Sequence, residues 1–170
     1  VHDEFVKISN GGELVFSLPA TVVAADTLAD AVVDRNVTGD EGDEVIATGA
    51  GDDIIAGMGG DDIIGGGAGD DRVDGGDGND LFIIGNDQGH DRINGGEGEG
   101  WVDAIHLEEV TGGPVSASNP DGNWALETAF NYTVDEVNQQ IRFEGANASG
   151  TITLEDGTLI EFDNMEMIGW

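Results

Sequence analysis

An all-β fold is predicted for this chain of 170 residues: a parallel β-roll (a flattened solenoid) capped by antiparallel strands towards its C-terminus. Three observations carry the prediction. Glycine and an acidic residue recur in register every nine residues between Gly39 and Asp103. One apolar residue keeps a fixed place in each nonamer. After Ala104 the repeat gives way to short alternating runs separated by loop signals. The chain accordingly divides into an N-terminal flanking and capping segment (1–38), the roll (39–103) and a C-terminal antiparallel cap (104–170).

In the flanking segment, residues 13–18 and 21–24 read as strands, and 26–33 as one or two helical turns with Asp26 as cap. Such a segment suits the cover of a first coil, because a solenoid end exposes unpaired backbone.

The roll is more sharply patterned, holding 20 of the 29 glycines. Its nonamers are 39–47, 48–56, 57–65, 66–74 and 75–83; Ile84 and Gly85 are then inserted, and the register resumes with 86–94 and 95–103. The fourth column reads Gly42, Gly51, Gly60, Gly69, Gly78, Gly89, Gly98. The sixth reads Glu44, Asp53, Asp62, Asp71, Asp80, Asp91, Gly100. The eighth reads Ile46, Ile55, Ile64, Val73, Phe82, Ile93, Val102. Disorder, the usual reading of high charge with few aromatics, does not keep three columns in phase.

These columns resemble the nonapeptide of the RTX (repeats-in-toxin) family, the haemolysin-type calcium-binding repeat Gly-Gly-x-Gly-x-Asp-x-U-x with U apolar. The best copies are Gly66-Gly67-Ala68-Gly69-Asp70-Asp71-Arg72-Val73-Asp74 and Gly75-Gly76-Asp77-Gly78-Asn79-Asp80-Leu81-Phe82-Ile83. The resemblance implies a calcium-binding β-roll from the C-terminal region of a larger bacterial protein exported by a type I secretion apparatus.

Elementary geometry leads to the same ion. Glycines let the first six residues turn tightly, and the last three form a strand whose middle residue faces inward. Two nonamers complete a coil, so each stacks on the one two places along, at a strand spacing of about 4.8 Å. Stacking sets Glu44 against Asp62, Asp53 against Asp71, Asp62 against Asp80, and Asp71 against Asp91. Carboxylates so close repel, and one of each pair must protonate unless a cation intervenes. Calcium accepts six to eight carboxylate and carbonyl oxygens at about 2.3–2.6 Å in flexible geometry, which a glycine-rich turn offers and magnesium's octahedron does not match. Roughly three to five Ca²⁺ are expected on this ligand chemistry. The candidate metal residues are Asp53, Asp62, Asp71, Asp80 and Asp91, then Glu44, with the turn glycines Gly42, Gly51, Gly60, Gly69, Gly78 and Gly89. At the first nonamer, where Glu44 replaces Asp, we expect a distorted site or one using Asp43. Gly100 lacks a carboxylate, so no complete site is expected between Asp80 and the last nonamer. The fifth-column acids Asp43, Asp52, Asp61 and Asp70 are expected to be outward and solvated.

Seventh-column residues face outward. On the sheet of odd nonamers they are Val45, Ile63, Leu81 and Trp101, an apolar stripe unsuited to water. On the even sheet they are Ile54, Arg72 and Arg92. We expect the C-terminal segment to pack on the odd face and the two arginines to stay near solvent. Beyond the roll, strands are read at 105–110, 140–143, 151–154, 158–162 and 165–170, with Asp156-Gly157 as a hairpin turn. The ending from Gly150 to Trp170 is similar to that of RTX exoproteins, whose C-terminal region is read by the type I apparatus.

Composition excludes several partners. With 36 acidic and 5 basic residues the formal charge is −31, which leaves no basic surface for nucleic acid. No apolar run is long enough to span a membrane, and without cysteine there are no disulfides or thiolate sites. The opening Val1-His2-Asp3-Glu4 has no Met and no basic-then-apolar leader, and we expect upstream domains of a parent protein. No catalytic constellation is present: neither a His-Glu-x-x-His helix nor a Gly-x-Ser-x-Gly elbow surrounds His2, His90 or His106. The expected function is a secreted, non-enzymatic calcium module that folds outside the cell. Two alternatives are a cell-surface adhesin segment and a polysaccharide-binding module resembling those beside alginate-modifying enzymes. The latter would engage an acidic or neutral glycan through Arg72 and Arg92, with Trp124 or Tyr132 as stacking surfaces.

Overall fold

Once the eighth-column residue points inward, the alternation of a strand sends its two neighbours outward, and the glycines that follow reverse the chain. Repetition of that unit leaves two facing sheets with one line of apolar side chains from each. The computed structural model describes residues 21–24 (backbone only), 32–85, 89–97, 102–108, 110, 112–115, 122–145 and 147–170, and holds two sheets and no helix among them. The expected strand at 13–18 and most of the helical turn at 26–33 lie outside the described residues.

The odd sheet runs β1 (Thr21–Ala24), β3 (Glu44–Ala50), β5 (Ile63–Ala68), β7 (Leu81–Ile84), β9 (Ala104–Leu107), β15 (Met167–Gly169), β12 (Gln140–Phe143), β11 (Tyr132–Asp135). The even sheet runs β2 (Asn36–Thr38), β4 (Ile54–Gly59), β6 (Arg72–Asp77), β8 (His90–Asn94), β14 (Leu159–Met165), β13 (Ala148–Leu154), β10 (Trp124–Thr128). Strands of the nonamers pair in parallel with the strand two repeats on, as in Val45↔Ile63, Ile63↔Leu81 and Ile54↔Arg72. The predicted roll is therefore the fold.

Two expectations are corrected. The C-terminal segment does not lie over the odd face; it joins both sheets at their edges. β14 pairs in parallel with β8, Phe162 opposite Ile93, and β15 pairs in parallel with β9, Ile168 opposite Ile105. Residues 159–169 thus wind one further coil, on which the antiparallel strands β13 and β10, and β12 and β11, are laid. The outer stripe is still covered in part: Leu81 is 6% exposed and clusters with Ala104 and Met167, while Arg72 is exposed. Trp101 lies outside the described residues. The Asp156-Gly157 hairpin forms as expected, with Thr153 opposite Leu159.

The second correction concerns the last repeat. Ala104, not Trp101, stands opposite Leu81, and Ile105, fully buried, takes the inward place assigned to Val102. Three extra residues in the preceding turn shift the register, so Asp103 replaces Gly100 in the sixth column.

The interior is a file of Ile46, Ile55, Ile64, Val73, Phe82, Ile93 and Ile105, closed by Phe162, Ile168 and the edge-on pair Trp124 and Trp170, whose rings lie 5.6 Å apart. Each fully buried side chain of this size contributes about 1.5–3 kcal/mol. Met58 holds φ +88° in the second column, where Gly49, Gly67, Gly76 and Gly96 carry the other left-handed conformations. A left-handed L-residue costs roughly 1–2 kcal/mol, partly offset by the greater chain entropy of glycine. Met58 is 49% exposed and loses little packing. Met58→Gly is expected to raise stability by about 0.5–1 kcal/mol in calcium, measured by thermal unfolding; an unchanged or lower midpoint would show that the strain is not stored there.

Candidate metal centre

Each turn presents its acids on two levels. At the inner level the sixth-column backbone N–H donates to the sixth-column carboxylate of the next coil. On the odd side the chain of bonds is Glu44 to Asp62 (2.8 Å), Asp62 to Asp80 (2.9 Å), Asp80 to Asp103 (2.9 Å) and Asp103 to Glu166 (2.9 Å). On the even side it is Arg35 to Asp53 (2.6 Å), Asp53 to Asp71 (2.8 Å) and Asp71 to Asp91 (3.0 Å). The insertion at Ile84 and Gly85 does not break the even ladder. Glu44, Asp53, Asp62, Asp71, Asp80, Asp91 and Asp103 are buried, and Glu166 is half-buried.

The fifth-column acids Asp52, Asp61 and Asp70 are exposed as expected and Asp43 is half-buried, but all four also tie the coils together. Their Oδ1 atoms accept the N–H groups of Asp61, Asp70, Asn79 and His90, each in the following coil, at 2.9–3.0 Å. This outer ladder runs opposite in sense to the inner one, so each coil both gives to and receives from its neighbour. Glu44 keeps the inner place, and Asp43 stays in the outer ladder.

One oxygen of each inner Asp is thereby satisfied. The other is not: Asp53, Asp62, Asp71 and Asp80 each bury an Oδ2 atom that has no protein partner. Those of Asp62, Asp71 and Asp80 point at first-column glycines. A Cβ at Gly57, Gly66 or Gly75 would collide with Oδ2 of Asp62, Asp71 or Asp80. At Gly57 and Gly75 it would also meet the carbonyl oxygen of Gly75 or Gly95 in the next coil. Gly95 repeats the arrangement with Asp103 Oδ2 and Asn164 O. Thr48 and Asn86 depart from glycine in this column; Asn86 lies outside the described residues, and Thr48 Oγ1 donates to Gly66 O at 2.7 Å. Of the fourth-column glycines, Gly51, Gly60, Gly69, Gly78 and Gly89 take positive φ and lie against the carbonyl of the coil before; Gly42 does not.

Acceptors facing acceptors need a proton or a cation between them. Burial pushes the carboxyls of Asp62, Asp71, Asp80, Asp91 and Asp103 up, backbone N–H donation pulls them back, and neighbouring carboxylates raise them further. Asp62 and Asp71 reach about 6, Asp91 and Asp103 about 7, and Asp80 about 8. Among the described residues no group of three His, Cys, Asp or Glu side chains converges. The donor set is two carboxylates with backbone carbonyls, all oxygen, which suits a hard cation of flexible coordination.

A family model matches these turns: the RTX calcium-binding nonapeptide repeat, in four copies, over residues 38–73, 49–82 and 63–88. Residues 38–88 are RTX calcium-binding repeats. Asp91, Asp103 and Glu166 stand beyond the matched residues and prolong the RTX ladders. No curated protein matches the chain. Among the solved structures similar to it are two from the Azotobacter vinelandii mannuronan C5-epimerase, the AlgE6R3 and AlgE6R2 subunits. The R3 subunit is 20% identical over 84% of this chain and 77% of its own, at a TM-score of 0.44. The R2 subunit is 20% identical over 85% and 88%, at 0.38.

Reading the sequence missed Asp103, Glu166 and Arg35. Asp103-Ala104-Ile105-His106 and Glu166-Met167-Ile168-Gly169 both keep the acid-x-apolar-x spacing of an RTX strand, a signal visible without the structure. His90 Nε2 and Arg92 Nε both lie 3.0 Å from the Glu161 carboxylate, and His106 is exposed. Trp124 is buried, which removes it as a stacking surface; Tyr132 is exposed.

The raised carboxyls fix a pH response. Without divalent ions, a group whose pKa is higher folded than unfolded stabilises the fold below its unfolded value and loses that contribution as pH rises through the folded one. Between pH 4 and 8, the metal-free RTX roll is expected to lose stability as pH rises, Asp80 being the last to ionise at about 8. In calcium the slope reverses, because protons compete with the ion for the same oxygens. Melting curves across this range, with and without calcium, check both signs; a metal-free midpoint that rises with pH contradicts the assignment.

Proposed function

We propose that this chain is a calcium-folded, non-catalytic module of a larger secreted bacterial protein, with its ions held between stacked turns. One observation carries the reading: four buried carboxylate oxygens, on Asp53, Asp62, Asp71 and Asp80, have no donor from the protein, and those of Asp62 and Asp80 lie beside a turn where a carbonyl of the next coil also points in. We assign ions to the turns that pair Asp53 with Asp71, Asp62 with Asp80, Asp71 with Asp91, and Asp80 with Asp103, within the range of roughly three to five that the ligand chemistry predicts. Glu44 bounds the odd row, where its Oε2 already accepts the Asp40 N–H at 3.1 Å.

The ion neutralises these acids when bound. Without it, a chain of formal charge −31 repels itself and stays extended. Extracellular modules of this ligand type bind calcium at about 10⁻⁴–10⁻³ M, so the chain remains open at cytosolic levels and closes outside. That difference suits export through a type I apparatus, with the region 104–170 as the part it reads. RTX repeats are typical of secreted bacterial proteins, which supports the same location. The glycan reading has weaker support: Arg72 and Arg92 are in register, but Arg92 is engaged by Glu161.

Circular dichroism during calcium titration tests the reading. The β-signal is expected to be small in chelator and to rise cooperatively with calcium, and Asp80→Asn is expected to lower the number of bound ions by at least one. A full β-signal in excess chelator defeats the coupling of folding to calcium. For the export step, deletion of 104–170 is expected to abolish release through a type I system; undiminished release would place the signal elsewhere.

A further inference from the structure

The even row of sixth-column residues begins with a base. Arg35 donates its backbone N–H to Asp53 Oδ1 just as Asp53 does to Asp71, so its side chain departs where each later coil has a carboxylate. Its Nη1 lies 2.6 Å from Thr48 O, 3.1 Å from Val33 O and 3.5 Å from Ala50 O. Val33 is the fourth-column residue of Arg35's own turn, and Thr48 and Ala50 are the first and third of the next. One coil further on, the same places belong to Gly51, Gly66 and Ala68, and there Asp53 contributes an Oδ2 with no donor. By register, then, the level that holds a guanidinium in the first turn is followed one coil on by the level at which Asp53 buries a carboxylate oxygen without a donor.

We propose that the Arg35 guanidinium is a built-in cation, standing between the first two even turns in the place that calcium takes between later ones. The inference rests on the calcium reading of those later turns. A guanidinium carries its positive charge at every accessible pH and presents several N–H donors, so it satisfies converging carbonyls with no ion. This level then binds none, and the even row counts one ion fewer than its number of turn-to-turn contacts.

The test uses the full chain in saturating calcium. Bound calcium is counted per chain by equilibrium dialysis, and amide hydrogen exchange is followed at Val33, whose N–H donates to Ala50 O at 2.9 Å. Arg35→Asp restores the acid of the column and is expected to add one ion per chain. Arg35→Ala is expected to keep the wild-type count while Val33 exchanges about tenfold faster or more, with the Asp71 amide unchanged. An unchanged count in Arg35→Asp, or an unchanged Val33 rate in Arg35→Ala, overturns the proposal. Should Arg35→Asp not fold, the exchange rate in Arg35→Ala decides. Wild-type protein that binds no calcium would instead defeat the reading of the later turns, and the Arg35→Ala rate would still report on the guanidinium.

Discussion

A carboxylate asked to serve two unlike neighbours governs this architecture. In each inner Asp one oxygen takes the backbone N–H of the preceding coil, and that bond fixes the stacking of turns. The same bond turns the second oxygen of Asp62, Asp71 and Asp80 towards a first-column glycine, with a carbonyl of the next coil beside it at Asp62 and Asp80. Burying such an oxygen unpaired is costly. The side chain that sets the coil spacing is thus also the one that creates the demand for positive charge. Aspartate is short enough to do both at about 4.8 Å. Glutamate stands only at the two ends of the odd row: Glu44 bends back onto Asp40, and Glu166 also accepts the Asn147 N–H.

The apolar core could not supply this order by itself. Each half-coil contributes chiefly one inward residue, so the interior is a narrow file rather than a thick layer. The two opposed ladders compensate by tying every turn to its neighbours in both directions. At the far end the arrangement changes character. The odd row passes from Asp103 into Glu166, whereas the even row stops, because the strand beside β8 places Ile160 opposite Asp91. From there the antiparallel strands and the Trp124–Trp170 contact take over, and packing replaces coordination. The exposed edge of the last coil is covered in the process, which removes a template for unwanted pairing.

What was legible in the sequence follows from the same physics. A solenoid repeats its turn geometry, so Gly60, Asp62 and Ile64 announce Gly78, Asp80 and Phe82, and fold and inner acids could both be read. Asp103 was hidden because a lengthened turn moved it 23 residues from Asp80 instead of the usual two nonamers. Glu166 carries the local acid-x-apolar signal, but its pairing with Asp103 across 63 residues was hidden, because no local pattern fixes the register of strands so far apart. The outer acids were read correctly as outward, but their bonds to the next coil were not legible, because exposure says nothing of which backbone N–H a carboxylate accepts. Asp61 is exposed and still holds the Asn79 backbone.

Why a base is found only at the start of a row has a structural reason. A sixth-column side chain inside the roll has to accept the N–H of the coil before it, and arginine has no acceptor to offer. Arginine placed at Asp71 would leave the Asp53 N–H buried without a partner. At β2 that constraint is not seen: among the described residues no strand precedes it in the even sheet and no earlier N–H donates to the Arg35 side chain. The first turn is therefore free to carry the cation on its own chain. Every later turn must keep the carboxylate and obtain its positive charge from outside. The direction of the hydrogen-bond ladder, more than the preference of any one residue, decides which end of the roll can do without an ion.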